Sequence, residues 1–427
     1  MQTIRGFRDI LPENISIWQK IEKQAIQLFK AFGFEEIRVP VLEKTELFAR
    51  SIGAATDIVE KEMYTFADRK GDLLTLRPEA TAAIVRSYIQ HKMYASEPVR
   101  KLFTLGPMFR RERPQKGRYR QFYQIDVEIF GIASPYIDSM LIYILNELFM
   151  GLGLKELSAH INSLGCPECR PSFQAALRSF LESKKDMLCE NCIRRMDKNP
   201  LRILDCKGTN CKEALKNAPA TLDYLCSDCK THFDTVQNVL SQQNVDFVID
   251  HSLVRGLDYY TRTAWEIQTT NLGAQSAVAG GGRYDGLVAE LGGPPTPAIG
   301  FAIGCDRLVE LIEQIEKPEE KTLNLFIVAL GEAAMQKAYI WSCELNRAGV
   351  STDMDLRGKS MKALMRRADK LNTSHVLIVG ENELAKDIVL LRDMKTKEQI
   401  SLPAANPVPE LIDICEAATA KGNRGRK

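Results

Sequence analysis

The sequence predicts a mixed α/β protein of the α+β type, with an antiparallel sheet flanked by helices, a helical insertion and a C-terminal α/β domain. The first observation is a hairpin pattern from Met108 to Gly131, in which two strand-like runs enclose a basic loop. The second is the stretch 166–250, where helical patterns are interrupted by pairs of cysteines. The third is an alternation of strands and helices after the charged segment 316–321, which is typical of a mainly parallel sheet.

Length and composition are those of an ordinary globular protein. The 427 residues predict two or three domains, and 45% apolar and 26% charged residues are typical values. The net charge of +2 excludes a globally basic nucleic-acid binder, so a nucleic-acid surface would have to be a local patch. We expect no membrane segment and a cytoplasmic location, because the sequence has neither a signal-peptide pattern nor a long apolar run.

The region before the hairpin predicts two helices and two strands, the second helix being an amphipathic one that follows Thr81 and runs on through Ile84 and Tyr88. Apolar residues recur at helical spacing over 14–32 and stop before Gly33, which is a natural helix end. Residues 37–41 alternate as a strand, although Pro40 lacks a ladder donor and favours an edge or an interface. A short strand is expected at 73–76.

The second strand of the hairpin has two chemically different faces, because side chains alternate along a strand. The apolar face, which can pack on helices, consists of Tyr123, Ile125, Val127 and Ile129. The other face consists of Phe122, Gln124, Asp126, Glu128 and Phe130. Polar groups in mid-strand are costly to bury without partners, so this face indicates the floor of a polar small-molecule site. Arg110 and Glu112 would share a face of the preceding strand. The alternative is a hairpin with one solvated face.

Five segments, spread over nearly the whole chain, resemble the motifs of a known family. FRRERPQKGRYRQF (109–122) resembles the second signature motif of class II aminoacyl-tRNA synthetases. GFEEIRVPVLE (33–43) resembles the first motif and GFAIGCDRL (300–308) the third. LVRGLDYYTRT (253–263) and AGGGRYDGL (279–287) are similar to the two signatures peculiar to histidyl-tRNA synthetases.

The resemblance implies a definite domain organisation. The class II catalytic core would occupy 1–165 and 251–318, interrupted by an inserted helical, cysteine-rich domain at 166–250. Residues 322–427 would form an α/β anticodon-binding domain with a basic tail. A homodimer is expected, with the first motif at its interface.

The family's reaction is a two-step ligation. The carboxylate of L-histidine attacks the α-phosphate of ATP and releases pyrophosphate, and a ribose hydroxyl of tRNA(His) then attacks the histidyl-adenylate. The expected partners are therefore L-histidine, ATP with Mg²⁺, and tRNA(His). Arginine suits this chemistry because its charge is permanent and its fork matches phosphate oxygens. The resemblance makes Arg110 and Arg255 the catalytic residues.

The same resemblance assigns the binding residues. Histidine would be bound by Glu79, Thr81, Arg110, Gln124, Glu128, Arg255, Tyr259 and Tyr260. ATP would be bound by Arg110, Glu112 and Arg307, and the acceptor end of tRNA by Arg113 and Gln115. Pro78 and Glu79 also suit the first turn of a helix, and the two roles are compatible. Gly300 and Gly304 are expected to leave room for a flat base.

Two non-catalytic alternatives remain open. One is the histidine-sensing regulatory subunit of ATP phosphoribosyltransferase, a paralogue of the family, and the other is an inactive synthetase-like domain of a signalling protein. The paralogue is expected to lack both the RGLDYY signature and the C-terminal domain. Both features are present here, which favours the ligase.

The cysteines predict a metal site. Eight of the eleven form four pairs: Cys166 and Cys169, Cys189 and Cys192, Cys206 and Cys211, Cys226 and Cys229. Three pairs have the C-x-x-C spacing with which two thiolates reach one tetrahedral ion. Structural zinc is the hypothesis, and reduced cysteines in a helical domain are the alternative, since disulfides are disfavoured in the cytoplasm. The sequence leaves open which pairs combine.

Overall fold

The chain forms two compact units in the computed structural model, which describes residues 1–53, 56, 58–115, 117–269, 277–318 and 322–424. The first unit spans Met1–Pro318 and the second Glu319–Lys427. Part of the predicted charged linker, 319–321, and the end of the basic tail, 425–427, lie outside the described residues.

A large sheet organises the first unit. The described strands are β1 (Glu35–Glu36), β2 (Leu42–Lys44), β3 (Tyr64–Ala67), β4 (Leu73–Leu76), β5 (Arg100–Phe109), β6 (Gln121–Phe130), β7 (Ser158–Ser163), β8 (Phe247–Ile249), β9 (Thr261–Gln268), β10 (Ala277–Arg283) and β11 (Ala298–Gly304). Among these, eight strands form one sheet in the order β1-β5-β6-β11-β10-β9-β7-β8. The end pairs β1-β5 and β7-β8 are parallel, and the pairs between them are antiparallel. Strands β2, β4 and β3 form a small antiparallel sheet.

Helices cover one face of the large sheet. The described α-helices of the first unit are α1 (Ile15–Ala31), α2 (Thr45–Ile52), α3 (Thr81–Gln90), α4 (Met93–Ser96), α5 (Pro135–Gly151), α6 (Arg170–Glu182), α7 (Glu190–Lys198), α8 (Thr209–Ala214), α9 (Ser227–Gln242), α10 (Leu287–Glu290) and α11 (Cys305–Ile315). Ile125, Val127 and Ile129 of β6 are fully buried in a core shared with α1, α5 and α11. Each such side chain contributes about 1.5–3 kcal/mol of burial free energy. The predicted hairpin and its apolar face are therefore confirmed.

Two strand predictions are wrong, one in where the strand ends and one in whether a strand exists. Strand β5 ends at Phe109, so Arg110 and Glu112 lie in the loop rather than on a strand face. The pairing nevertheless continues for one step, because the amide of Arg110 donates to the carbonyl of Arg120 at 2.9 Å. Segment 37–41 is not a strand but the gap between β1 and β2. It contains Pro40, which has no N–H for a ladder.

The segment between β7 and β8 is helical, as predicted. Helices α6 to α9 and three short 3₁₀ turns (Lys185–Met187, Pro200–Ile203 and Thr221–Tyr224) occupy it. A small apolar cluster of its own joins Phe173, Leu177, Leu181, Leu188, Cys192, Met196, Ile203, Cys211 and Ala214.

A buried polar network ties the last helix of this segment to the sheet. Asp138 of α5 lies 2.7 Å from the imidazole Nε2 of His232 on α9, and Nε of Arg283 on β10 donates to it at 2.8 Å. Arg283 is fully buried, and it also donates to the carbonyls of Ile132 and Ser134. Removing one partner of such a buried charge pair costs about 3–5 kcal/mol. This arginine therefore has a structural role in the AGGGRYDGL segment.

The second unit has a mixed sheet. Its described elements are β12 (Leu325–Leu330), α12 (Glu332–Arg347), β13 (Thr352–Met354), α13 (Met361–Lys370), β14 (His375–Gly380), α14 (Glu381–Ala385), β15 (Ile388–Asp393), β16 (Gln399–Pro403) and α15 (Val408–Arg424). The order is β13-β12-β14-β15-β16. The pairs around β12 are parallel, whereas β14-β15 and β15-β16 are antiparallel. The expectation of a mainly parallel sheet is therefore wrong for half of the pairs, because β15 and β16 form a hairpin.

Across the described part of the chain, every helix is too short or too polar to cross a lipid bilayer.

Candidate active site

Small residues flank the polar face of β6. In register with Gln124 are Gly106 of β5 and Gly304 of β11, and in register with Glu128 is Gly300. Residues opposite each other in an antiparallel pair project to the same face. The β11 neighbours of the carboxylates and the amide of β6 are therefore small, whereas on the β5 side Leu102 is in register with Glu128. This face is the floor of the candidate site.

The row of glycines on this face of the sheet continues onto β10. Gly282 is in register with Gly300, and Gly280 with Ala302 on one side and Glu266 of β9 on the other. A Cβ at position 280 would lie 2.8 Å from Cζ of Arg255. The absence of a side chain at Gly280 therefore lets the guanidinium of Arg255 lie directly on the sheet.

Glu128 is the best-connected carboxylate of the floor. It is 1% exposed, and Thr81 Oγ1 donates to its Oε1 at 2.5 Å. The Tyr284 hydroxyl donates to its Oε2. Burial raises the pKa of Glu128 well above its usual range, although both hydrogen bonds act in the opposite direction. Glu128 therefore connects α3 to the AGGGRYDGL segment through one side chain.

Glu79 lies just before α3 and has one satisfied oxygen. Its Oε1 accepts a hydrogen bond from the amide of Ala82 at 3.0 Å. Its Oε2 is buried and has no hydrogen-bond partner among the described residues. Burial raises the pKa of Glu79, and the nearby charge of Arg110 lowers it in part. The predicted first-turn position of Glu79 is wrong, because α3 begins at Thr81, although Glu79 still accepts from the amide of Ala82 in that helix. Its second oxygen remains available for a ligand.

Asp126 occupies the centre of the floor. It is 1% exposed, and burial together with the charge of Glu79 raises its pKa to about 8. The neighbouring Arg77 acts in the opposite direction and is itself held by the carbonyls of Pro107 and Val39, each at 3.0 Å. Three buried carboxylates close together would repel one another if all were ionised, so the site favours a cationic ligand.

Arg110 and Arg255 carry the positive charge of the site. Nε of Arg110 donates to the carbonyl of Pro78 at 2.9 Å, and its guanidinium lies 5.1 Å from the ring centroid of Phe122. Arg255 donates to Glu266 at 2.5 Å and lies 5.5 Å from the ring centroid of Tyr260. Both guanidinium groups are thus oriented by second partners, which is the preorganisation that charge stabilisation requires.

Three tyrosines form one wall of the site. The rings of Tyr259 and Tyr260 have centroids 4.7 Å apart, and Tyr259 meets Tyr284 edge-on at 5.5 Å. Burial raises the pKa of Tyr259, and the charges of Glu79 and Glu128 contribute in the same direction. The predicted histidine-binding tyrosines and carboxylates are therefore neighbours.

The residues predicted to bind ATP are also brought together. Burial raises the pKa of Glu112, and the charges of Arg118, Arg110 and Arg307 lower it in part. Arg307 stands in the first turn of α11 and donates to the carbonyl of Ala277 at 2.5 Å. The loop between β5 and β6 exposes the two predicted tRNA contacts, Arg113 and Gln115, but its Lys116 lies outside the described residues.

Sequence reasoning missed Tyr284, Glu266 and the role of Gly300. Tyr284 lies in the AGGGRYDGL motif, but only the fold shows that its hydroxyl reaches Glu128. The space above Gly300 holds the carboxylate of Glu128, which corrects the expectation of room there for a flat base. Glu266 stood in a regular strand pattern and gave no sequence signal beyond its charge.

The four cysteine pairs combine into two clusters. Cluster A is Cys166, Cys169, Cys226 and Cys229, and cluster B is Cys189, Cys192, Cys206 and Cys211, with the four sulfur atoms of each within 4.8 Å of one another. Zinc–sulfur bonds of about 2.3 Å in a tetrahedron place sulfur atoms about 3.8 Å apart. The Cys166–Cys169 and Cys166–Cys226 sulfur distances are 3.5 and 3.9 Å. The donor sets therefore fit Zn²⁺.

Comparison with known proteins finds matches over nearly the whole chain. The histidyl-tRNA synthetase family model matches residues 6–308, and the anticodon-binding domain model matches 324–414. Identity with the Histidine–tRNA ligase of Desulforapulum autotrophicum is 64% over 415 residues, which is 97% of this chain and 98% of that one. The corresponding protein of Desulfosudis oleivorans is 58% identical over 417 residues, 97% and 99% of the two chains.

A solved structure shows the same fold. The crystal structure of apo S. aureus histidyl-tRNA synthetase matches with a TM-score of 0.82 at 35% identity, covering 96% of this chain and 100% of that chain. Since both the sequence and the fold match over nearly their full length, the chain belongs to the histidyl-tRNA synthetase family of class II aminoacyl-tRNA synthetases.

Proposed function

We propose that this protein ligates L-histidine to tRNA(His) through a histidyl-adenylate, consuming ATP and releasing pyrophosphate and AMP. The observation that carries the proposal is the arrangement of Glu128, Glu79 and Tyr259 on one side of a glycine-lined floor, with Arg110 and Arg255 beside them. Carboxylates suit the cationic end of an amino acid, and arginines suit phosphate.

Histidine recognition rests on buried acceptors. Glu79 Oε2 and Gln124 Oε1 have no hydrogen-bond partner within the described part of the chain, and they would accept from the ammonium and imidazole N–H groups of the substrate. Thr81 and Glu128 complete the polar contacts, and Tyr259 and Tyr260 enclose the imidazole ring. A site built on such hydrogen bonds rejects analogues that lack the polar groups far better than an apolar slot does.

Activation of the carboxylate needs charge stabilisation rather than an enzyme nucleophile. The histidine carboxylate attacks the α-phosphorus, the bond to the pyrophosphate oxygen breaks, and negative charge accumulates on the α-phosphate oxygens. Arg110 and Arg255 would bind these oxygens from two sides, and Arg307 would bind the distal phosphates. Loss of one preorganised donor typically lowers the rate by a factor of about 10²–10³.

Magnesium would accompany ATP and neutralise phosphate charge. Carboxylates are the side chains that Mg²⁺ prefers. Glu112, which is paired with Arg118, and Glu266, which is bonded to Arg255, are carboxylates on the phosphate side of the site and are the residues that would hold the ion. Structural zinc, bound by clusters A and B, is the second metal of the proposal.

The remaining assignments follow from the family. Arg113 and Gln115 would contact the acceptor end of tRNA, and residues 322–427 the anticodon. The catalytic core would comprise 1–165 and 251–318, with 166–250 as the inserted domain. The protein would act as a homodimer in the cytoplasm.

ATP–pyrophosphate exchange that depends on L-histidine tests the proposal directly. We expect rapid exchange with histidine, background exchange with other amino acids, and histidylation of tRNA(His). A histidine-sensing regulatory subunit would bind histidine without exchange. That result would reject the ligase, whereas the RGLDYY segment and the anticodon-binding domain favour it.

A further inference from the structure

Side chains of the helical segment between β7 and β8 donate hydrogen bonds to the loop that follows Arg255, the arginine assigned to the α-phosphate. Asn199 Nδ2 donates to Asp258 Oδ1 at 2.9 Å, and a terminal nitrogen of Arg202 donates to the carbonyl of Gly256 at 2.5 Å. Arg170 donates to the carbonyl of Tyr260. Residues 256–260 directly follow Arg255 and include both tyrosines of the pocket wall. Three side chains of the segment therefore hold this loop from outside the catalytic core.

Each of these donors lies close in the sequence to cysteines of one of the two clusters. Arg170 directly follows Cys169 of cluster A and is the first residue of α6. Asn199 and Arg202 lie between Cys192 and Cys206 of cluster B, at the 3₁₀ turn Pro200–Ile203. The path from either cluster to the loop is thus only a few residues long.

Cluster A also lies on the backbone that leads into β9. The amide of Arg262 donates to the carbonyl of Gly165 at 2.9 Å, and the amide of Leu164 donates to the carbonyl of Arg262 at 2.7 Å. Gly165 has φ +66°, and a Cβ there would lie 2.8 Å from Cβ of Cys169. Backbone hydrogen bonds therefore connect the residues just before cluster A to β9, the strand that follows the loop, and Arg170 connects the cluster to the loop itself.

Features of the clusters indicate metal rather than packed thiols. The amide of Cys226 donates to Cys169 Sγ at 3.1 Å, and the amide of Cys189 donates to Cys211 Sγ at 3.2 Å. Outer hydrogen bonds of this kind orient the ligands of metal sites. Among the described residues, the apolar cluster of the segment has nine buried members, two of which are cysteines of cluster B, with seven partly buried hydrophobic residues packed against them. Small cores of this kind usually need a metal or a crosslink.

We propose that clusters A and B each bind one Zn²⁺, and that the two ions position the 256–260 loop, so that zinc content governs histidine binding. The inference rests on the proposed function for the identity of the ligand. Asn199, Arg202 and Arg170 are the positioning residues, and zinc itself does not touch the substrate. Loss of either ion would release the donors from the loop and displace Tyr259, Tyr260 and Arg255.

The first experiment measures zinc and histidine affinity on the same full-length protein, purified without chelator. We expect about two zinc ions per chain, and about one in each of the variants Cys169→Ser and Cys192→Ser. Calorimetry should show that zinc removal weakens L-histidine binding at least about tenfold and that added zinc restores it. Cys343→Ser is the matched control, because Cys343 is exposed in the second unit and belongs to neither cluster.

The second experiment leaves the metal in place. Arg202→Ala and Asn199→Ala should retain two zinc ions yet bind histidine more weakly, with faster hydrogen exchange in residues 256–260. Arg194→Ala is the matched control, since Arg194 is exposed and donates to Asn191 of its own helix.

Three results would overturn the inference: less than about a tenth of an equivalent of zinc per chain, disulfides in place of the metal, or unchanged histidine affinity in the Arg202 and Asn199 variants. Histidine-dependent exchange by the zinc-loaded protein is recorded separately. Absence of exchange would refute the proposed function, whereas the zinc inference would still be decided by the zinc and histidine-binding measurements.

Discussion

Gly300 and Glu128 face each other on neighbouring antiparallel strands, and the carboxylate of Glu128 fills the space in which any side chain at position 300 would lie. The same carboxylate accepts hydrogen bonds from Thr81 and Tyr284. Glu128 can therefore occupy this position only because residue 300 is a glycine and has no side chain.

Gly300→Ala should displace Glu128. A Cβ there would meet the Glu128 carboxylate and lie close to the carbonyl of Val127, which cannot move freely. Such overpacking typically lowers the free energy of unfolding by about 1–3 kcal/mol. We also expect a higher KM for histidine, measured by pyrophosphate exchange.

Gly286→Ala is the matched control, because Gly286 is exposed and has a negative φ of −89°, and a Cβ there would meet no atom of the described residues within 4 Å. Equal stability and equal histidine KM in the two alanine variants would contradict the role of Gly300.

Arg255→Ala should fold and yet lose most adenylate formation. The guanidinium is oriented by Glu266 and Tyr260 and is the group assigned to the α-phosphate. We expect a fall in exchange rate of about 10²–10³. Circular dichroism checks folding, and alanine at the exposed Arg69 serves as the control. Near-full exchange by a folded Arg255→Ala protein would remove this residue from the mechanism.

Glu128→Gln and Tyr284→Phe should damage histidine recognition and spare ATP binding. Tyr284→Phe removes the hydroxyl that donates to the acid. Glu128→Gln replaces one of the two oxygens that accept from Thr81 and Tyr284 with an NH2 group, which cannot accept. A hydrogen bond between neutral groups is worth about 0.5–1.5 kcal/mol, so histidine KM should rise about 2–10-fold. Steady-state kinetics with each substrate varied separately measure the effect. An unchanged histidine KM, or an equal rise in the ATP KM, would argue against this assignment, and Tyr339→Phe at an exposed tyrosine is the control.

Asp126 predicts a pH dependence of stability in the ligand-free protein. Burial and the charge of Glu79 raise its pKa from 3.8 to about 8. Between these values the folded state keeps a proton that the unfolded state has lost, so the free energy of unfolding falls as pH rises, by at most about 1.4 kcal/mol per pH unit from this group.

Asp126→Asn keeps the shape of the side chain and stays neutral. Its free energy of unfolding, from urea titrations between about pH 5 and pH 8, should therefore fall less steeply than that of the unaltered protein. Parallel curves for the two proteins would show that Asp126 does not titrate in this range, and Asp413→Asn at an exposed helix position is the control.

A chain ending at Pro318 should still make histidyl-adenylate but charge tRNA poorly. The first unit contains the whole candidate site, and the second matches an anticodon-binding domain. Exchange and charging are measured side by side, after the melting curve of the shortened protein has established that it is folded. Equal charging by the two proteins would exclude a tRNA role for residues 322–427.

Local patterns were sufficient for elements whose signals are local. Helical spacing before Gly33 predicted α1, and parity along β6 predicted that Ile125, Val127 and Ile129 are buried in the core. The limits of β5 and the break at Pro40 depend on partners elsewhere in the sheet, and the predictions erred there. The expectation of a mainly parallel second sheet erred for the same reason, since the direction in which β15 and β16 pair is decided only when the second unit is folded.

The sequence by itself determined the family, the order of the motifs, the polar face of β6 and the spacing of the cysteine pairs, because each is a property of residues close together in the chain. Only the tertiary structure decided that Cys166 and Cys169 combine with Cys226 and Cys229, that Tyr284 reaches Glu128, and that Arg202 holds the backbone of Gly256. Contacts between distant residues depend on how whole strands and helices pack, and no short sequence pattern encodes that packing.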